Sequence, residues 1–272
     1  MKEVGEIRSF LLDMDGTINL GEQLLPGAKE FIDYLKASGR EFLFLTNNSS
    51  KDREHYKKKM CRLGISCTVD NVLTSGDATI TYLKMKKPGA SVYLLGTKEL
   101  EKDFWLNGFI LTEDEPDFVV LGFDMTLTYE KLVKACRFIR RGVEYIATHP
   151  DFNCPVEDGY IPDAGAMIEL IKASTGRLPH VIGKPNKEII QSAFQKLKSH
   201  DPGEVAMVGD RVYTDIKTGQ NAGITSILVL SGESTEADLD KYGVQASFVF
   251  DGVGTLCRRL KEYDAQRRKA GA

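Results

Sequence analysis

No uninterrupted apolar run in the 272 residues approaches the roughly 20 that a membrane span needs, so a bilayer location is not expected. The opening segment, Met1 to Ser9, is charged and has no apolar core of signal-peptide type, which argues against secretion. Charge of one sign is also in short supply. The formal charge is −3, and the basic runs Lys57-Lys58-Lys59 and Arg267-Arg268-Lys269 are short enough to read as solvated surface. Neither nucleic acid nor an anionic membrane is an expected partner. Cysteine is sparse: Cys61, Cys67, Cys136, Cys154 and Cys257 are scattered without metal-type pairing, which fits a reducing, cytoplasmic setting. The one tryptophan, Trp105, shares helical spacing with phenylalanines and is expected in the core.

Several ligand motifs are missing too. Gly183-Lys184 is followed by Pro185 and lacks the leading glycine of a Walker loop. Gly252-Val253-Gly254 is too isolated for a dinucleotide site. Asp13-x-Asp15-Gly16 departs from the calcium loop, where glycine follows a third ligand position. His55, His180 and His200 carry no visible signal, and no repeat or low-complexity segment is present.

What is present begins with Phe10-Leu11-Leu12-Asp13-Met14-Asp15-Gly16-Thr17. A short apolar run bounded by a turn signal reads as a buried strand, with Asp13 at its carboxyl end. Open α/β sheets place ligands there. A turn at Asp15-Gly16 can fold both carboxylates toward one point, where like charges need a cation, and Mg²⁺ suits such an oxygen cluster. The alternative is an ordinary Asp-Gly turn.

The same arrangement recurs along the chain. Phe42 to Leu45 delivers Thr46-Asn47-Asn48-Ser49-Ser50, either a neutral phosphate cradle or an N-cap for a helix from Arg53 to Leu63. Val181-Ile182 leads into Gly183-Lys184-Pro185, and Val205 to Val208 into Gly209-Asp210-Arg211 with Asp215 close behind. Strands alternating with helices predict a mostly parallel sheet, whose carboxyl ends share one edge. Gly21 to Leu25 reads as a loop, the last helix as Leu256 to Tyr263, and the residues from Asp264 onward as frayed. About Thr79 to Pro179 lies a stretch with its own strands, helices and apolar residues.

The ordered set Asp13-Met14-Asp15-Gly16-Thr17, Thr46-Asn47-Asn48, Gly183-Lys184-Pro185 and Gly209-Asp210 through Thr214-Asp215 resembles the four motifs of the haloacid dehalogenase (HAD) superfamily. It looks most like the NagD / p-nitrophenyl phosphatase branch. The resemblance covers essentially the whole chain. It implies a Rossmann-like doubly wound parallel α/β core, residues 1–78 and 180–272, with a smaller α/β cap inserted at 79–179. It also implies a Mg²⁺-dependent phosphatase acting on small phosphorylated metabolites.

By that resemblance Asp13 is the nucleophile and a metal ligand. Asp15 is the general acid/base and gives its backbone carbonyl to the metal. Thr46, Asn47, Asn48 and Lys184 bind phosphate, Asp210 binds the metal directly, and Asp215 acts behind it or through water. Relatives of this kind also allow a homodimer through the insert. The insert departs from the family pattern twice, with His149 where Asn is frequent and Asp163 where Gly is common. His149 either contacts substrate or is a satisfied structural histidine. Within the superfamily a metal-independent dehalogenase would need no acid at Asp15 or Asp210, and a phosphomutase would need a bisphosphate activator. A non-catalytic phosphate-ligand protein would be silent in a phosphate-release assay.

Overall fold

The computed structural model describes residues 3–156 and 158–270. Two compact units are formed, one by 1–45, 57–72 and 193–272, the other by 46–56 and 73–192. Among the described residues, no helix is long and apolar enough to cross a membrane.

In the first unit the two central strands of the main sheet are short and wholly buried. Ser9–Leu12 and Val205–Gly209 have no exposed residue. A buried Leu or Phe is worth roughly 1.5–3 kcal/mol, so such strands hold by burial and ladder bonds, not by length. The sheet order is Phe248–Phe250, Thr225–Val229, Val205–Gly209, Ser9–Leu12, Glu41–Thr46, Val72–Thr74. The first strand is therefore internal, and the chain builds outward from it in both directions. Its register is parallel on both sides, with Leu12 opposite Phe44 and Val208. That register makes Asp13 and Asp210 neighbours at adjacent strand ends. The helix Ala28–Ala37 begins one residue later than Gly27, which takes φ +80° and would clash with the Gly254 backbone if it carried a Cβ.

The second unit holds a five-stranded parallel sheet in the order His180–Val181, Glu144–Ala147, Phe118–Leu121, Ser91–Leu95, Ile110–Leu111. Its apolar face packs Leu95, Val119, Leu121 and Ala147 against Phe138, Ile139, Ile168 and Ile171 of the helices Tyr129–Arg140 and Ala164–Thr175. A two-stranded antiparallel hairpin, Asn153–Val156 with Gly159–Pro162, precedes the second of these helices.

Three expectations need correction. Trp105 is 69% exposed, not core: its helix Lys98–Leu106 buries Leu100 and Phe104 and turns the tryptophan outward. Gly21 to Leu25 is not all loop, since Gln23–Leu24 pairs with Asn19–Leu20 in a small ribbon. The last helix runs Val253–Ala270, well past Tyr263, because Asp264 is tied to Arg40 and Tyr34. The final two residues of the expected frayed tail lie outside the described residues.

Candidate active site

Asp13 follows directly on the first strand, and its N–H still donates to the Val208 carbonyl at 2.9 Å. The chain then turns sharply. The N–H groups of Ile18 and Asn19 both reach the Met14 carbonyl, at 2.8 and 3.0 Å, and Gly16 takes φ +90°. An L side chain rarely tolerates that backbone, and a Cβ there would lie 2.4 Å from Asp210 Oδ2. Gly232 presses on the same carboxylate, with a hypothetical Cβ at 2.0 Å from Oδ2. Two glycines thus let backbone close around Asp210.

Asp210 is 2% exposed. Its Oδ2 accepts from the Glu233 N–H at 2.7 Å, and its Oδ1 lies 3.4 Å from the donating Thr17 hydroxyl. Asp215 is fully buried within a π-helical turn, Val212–Ile216, and its Oδ2 accepts from the Arg211 N–H at 3.1 Å. π-turns are rare and frequent at functional sites. Asp13, Asp210 and Asp215 each place an oxygen so that all three lie within 4.8 Å of one another. A hard divalent cation fits this donor set of carboxylate oxygens in a glycine-walled recess.

Asp15 is turned elsewhere. Its Oδ1 accepts from Asn19 Nδ2 at 2.6 Å and lies 3.4 Å from Lys59 Nζ. Lys59 has a 12% exposed side chain, so the expectation that its basic run is simply solvated surface is wrong for this residue. Its position on the helix Arg53–Arg62 gives it a carboxylate partner.

The remaining expected residues belong to the second unit. Asn47, 5% exposed, is bound on every side. Its Oδ1 accepts from the Lys184 N–H at 2.8 Å, while Nδ2 donates to the Lys184 carbonyl at 3.0 Å and to Asp151 Oδ1 at 3.1 Å. Asn47 thus grips the Lys184 peptide from both ends. Lys184 itself is 3% exposed. Thr46 Oγ1 accepts from the Asn48 N–H at 3.2 Å, and Asn48 Oδ1 accepts from the Ser50 N–H at 2.9 Å, so both side chains also shape their own loop.

His149 is fully buried. Its Nε2 lies 2.8 Å from Asp163 Oδ1 and its Nδ1 lies 2.9 Å from Thr148 Oγ1. That is the structural histidine of the two readings.

Sequence reasoning missed Asn19, Lys59 and Arg211. Arg211 sits beside Asp210, and its Nε lies 2.9 Å from Glu233 Oε2. Burial alone would push its guanidinium down, but Asp13, Tyr213, Glu233 and Asp215 hold it above its ordinary value. Its adjacency to Asp210 was the one available signal. Asn19 and Lys59 lie in no recognisable pattern.

Comparison with known proteins gives a consistent picture. Residues 10–110 match a family described as haloacid dehalogenase-like hydrolase, and residues 181–256 match one described as HAD-hydrolase-like. An acid sugar phosphatase of Staphylococcus aureus is 38% identical over 258 residues, spanning 94% of this chain and 99% of the relative. The crystal structure of a 4-nitrophenylphosphatase from Thermotoga maritima superposes with TM-score 0.91 at 46% identity, covering 96% of this chain and all of the other. NagD from Escherichia coli K-12 superposes with TM-score 0.85 at 31% identity, covering 91% and 97%.

Proposed function

This chain belongs to the haloacid dehalogenase-like hydrolases, in their NagD-like group, and is a phosphoric monoester hydrolase; we propose that it works through a phosphoryl group carried on Asp13, with Mg²⁺ as cofactor. The observation that carries this reading is the convergence of Asp13 and Asp210, at adjacent parallel strand ends, with Asp215 of the π-helical turn. Three carboxylates so close would repel a phosphate ester and one another unless a cation balanced them.

In this reading Asp13 and Asp210 hold the cation by their carboxylates and Asp15 by its backbone carbonyl, with Asp215 behind them. The cation, when bound, neutralises charge on the phosphate oxygens. Asp13 attacks phosphorus in line, forming an acyl phosphate as the ester P–O bond breaks. Asp15 gives its proton to the departing oxygen. It then takes one from water, which attacks phosphorus, releases inorganic phosphate and returns Asp13 to a carboxylate. Thr46, Asn47, Asn48 and Lys184 bind the non-bridging oxygens. The substrates are small phosphate monoesters: sugar phosphates, nucleotides or aryl phosphates.

The same reading takes 1–78 with 180–272 as the catalytic core and 79–179 as an inserted cap that serves as a lid, in a cytoplasmic protein that can pair through that cap. The test is phosphate release from a panel of monoesters, with Mg²⁺ and with chelator. Turnover is expected to need the metal and to vanish in a folded Asp13→Asn protein. Phosphate release that persists in that variant overturns the nucleophile assignment, and indifference to chelator overturns the cofactor.

A further inference from the structure

Asp151 and Asp163 bracket the hairpin Asn153–Val156/Gly159–Pro162, and the chain is cinched at its neck. The Asp163 N–H donates to the Phe152 carbonyl at 2.9 Å, and the Gly165 N–H to the Asp151 carbonyl at 2.7 Å. Side chains complete the closure. Asp163 Oδ1 accepts from the Ala164 N–H at 2.6 Å, capping the helix Ala164–Thr175, and meets His149 Nε2 at 2.8 Å. His149 and Asp163 are the two departures from the family pattern, and they touch each other.

We propose that His149 and Asp163 form a buried positioning clamp, which closes the hairpin neck and holds Asp151 on Asn47, so that Asn47 and the Lys184 peptide stay aligned for phosphate. This rests on the reading of Asn47 and Lys184 as phosphate binders. The connection is short. His149 lies two residues before Asp151, whose Oδ1 and Oδ2 take the Asn47 amide at 3.1 and 3.3 Å. On the other side of the ring, Ser75 Oγ lies 3.4 Å from Nδ1 and donates to the Asn47 carbonyl. Gly183 completes the fit, because a Cβ there would lie 2.7 Å from Asn47 Oδ1 and 3.0 Å from His149 Cβ. The clamp thus reaches Asn47 by two routes.

The hydrogen-bond partners identify which ring nitrogen serves Asp163. A carbonyl oxygen can only accept, so the Ser75 proton is committed to Asn47, and Ser75 can only accept from Nδ1. Asp163, at a helix N-terminus that favours negative charge, accepts from Nε2. Nε2 then carries a proton for Asp163, while the Thr148 hydroxyl, 2.9 Å from Nδ1, can donate to that nitrogen or accept from it. His149 faces the carboxylates of Asp163 and Asp151, the Lys184 ammonium, the Thr148 and Ser75 hydroxyls and the edge of the Phe123 ring. Burial alone would push the imidazole down; Asp163 and then Asp151 outweigh this and the opposing Lys184, holding it above its ordinary value.

The test uses the full chain with Asp163→Asn, which keeps an oxygen for the Ala164 N–H, His149→Asn, and the double variant, each checked for folding by circular dichroism. Each single variant is expected to raise KM for an aryl phosphate and weaken inhibition by inorganic phosphate by roughly tenfold, the scale of one charge-assisted hydrogen bond, with kcat changed less. The double variant is expected to be no worse than either single one, since the two residues act as a unit. Nitrogen NMR of the wild-type ring at pH 7 is expected to show Nε2 protonated. A folded Asp163→Asn protein with unchanged phosphate inhibition, additive effects in the double variant, or a wild-type ring with no proton on Nε2 overturns the clamp. If the variants do not fold, the wild-type ring alone decides. Wild-type turnover that survives Asp13→Asn instead refutes the catalytic reading and leaves phosphate binding and the ring's protonation to judge the clamp.

Discussion

Arg40 and Asp264 meet through two parallel hydrogen bonds, Nη1 to Oδ2 at 2.7 Å and Nη2 to Oδ1 at 2.8 Å. The Arg40 side chain is 2% exposed, and its remaining donors reach the Ile7 and Gly5 carbonyls. Removing one partner from such a pair strands the other as a buried charge, at a cost of about 3–5 kcal/mol when burial is complete. Asp264 retains 20% exposure, so Asp264→Ala is expected to cost about 2–4 kcal/mol, measured by denaturant unfolding. The Arg40 hydrogen bonds hold the Asp264 carboxylate below its ordinary range, with burial opposing and Tyr34 helping. The pair's stabilisation is therefore fully present above the unfolded value near pH 4 and is lost as pH falls toward the lower folded value. The gap between wild type and Asp264→Ala should narrow on acidification, and a gap that does not change across that window would remove the ion pair from the account.

Gly232→Ala tests the recess around Asp210 without touching a ligand. The new Cβ would fall 2.0 Å from Asp210 Oδ2, so the carboxylate must move. Displacing a support of a metal ligand typically costs about 10–100-fold in affinity, and that loss of Mg²⁺ or Mn²⁺ binding is expected by calorimetry. Unaltered metal affinity in a folded Gly232→Ala protein would argue that Asp210 is not a ligand.

Asn19 and Lys59 should govern Asp15. Both reach Oδ1, at 2.6 and 3.4 Å, and they fix where its carboxyl points. Asn19→Leu is expected to lower kcat by roughly tenfold or more, within the range that a positioned acid contributes, with KM little changed. A rise in KM alone would assign Asn19 to substrate binding.

The His149–Asp163 pair carries its own pH signature. Because the folded imidazole is raised, its stabilisation is fully present below the unfolded value near pH 6.5 and fades as pH climbs through the higher folded value. The unfolding free energy of wild type relative to His149→Gln should therefore shrink at alkaline pH, opposite in direction to the Asp264 effect. Equal differences at pH 6 and pH 10 would show that the ring does not titrate as part of an ion pair.

Much of this architecture was legible from residue order. The apolar runs Phe42 to Leu45 and Val205 to Val208 matched the strands Glu41–Thr46 and Val205–Gly209 to within one residue at each end, since four apolar residues before a polar or turn signal leave little choice of period. Asp13 and Asp210 could be brought together because parallel strands deliver their ends to one edge. The hairpin 153–162 was hidden by Pro155 and Pro162, which argue against a strand but are tolerated in a two-stranded ribbon with open edges. Trp105 misled because helical spacing says which residues share a face, not which face is buried. Asp264 looked like tail because its partner lies 224 residues away. The two family departures, His149 and Asp163, were noticed singly; that they are one contact needed coordinates.

The two units are interleaved along the chain, with exchanges at residues 45/46, 56/57, 72/73 and 192/193. Neither can therefore be excised with one pair of cuts. A gene fragment encoding 79–179 would lack Asn47 and Ser75, and with them the hydrogen bonds that engage Asp151 and His149. Chimaeras that exchange this stretch between homologues will keep these hydrogen bonds only if residues 46–56 and 73–78 travel with the transplanted segment.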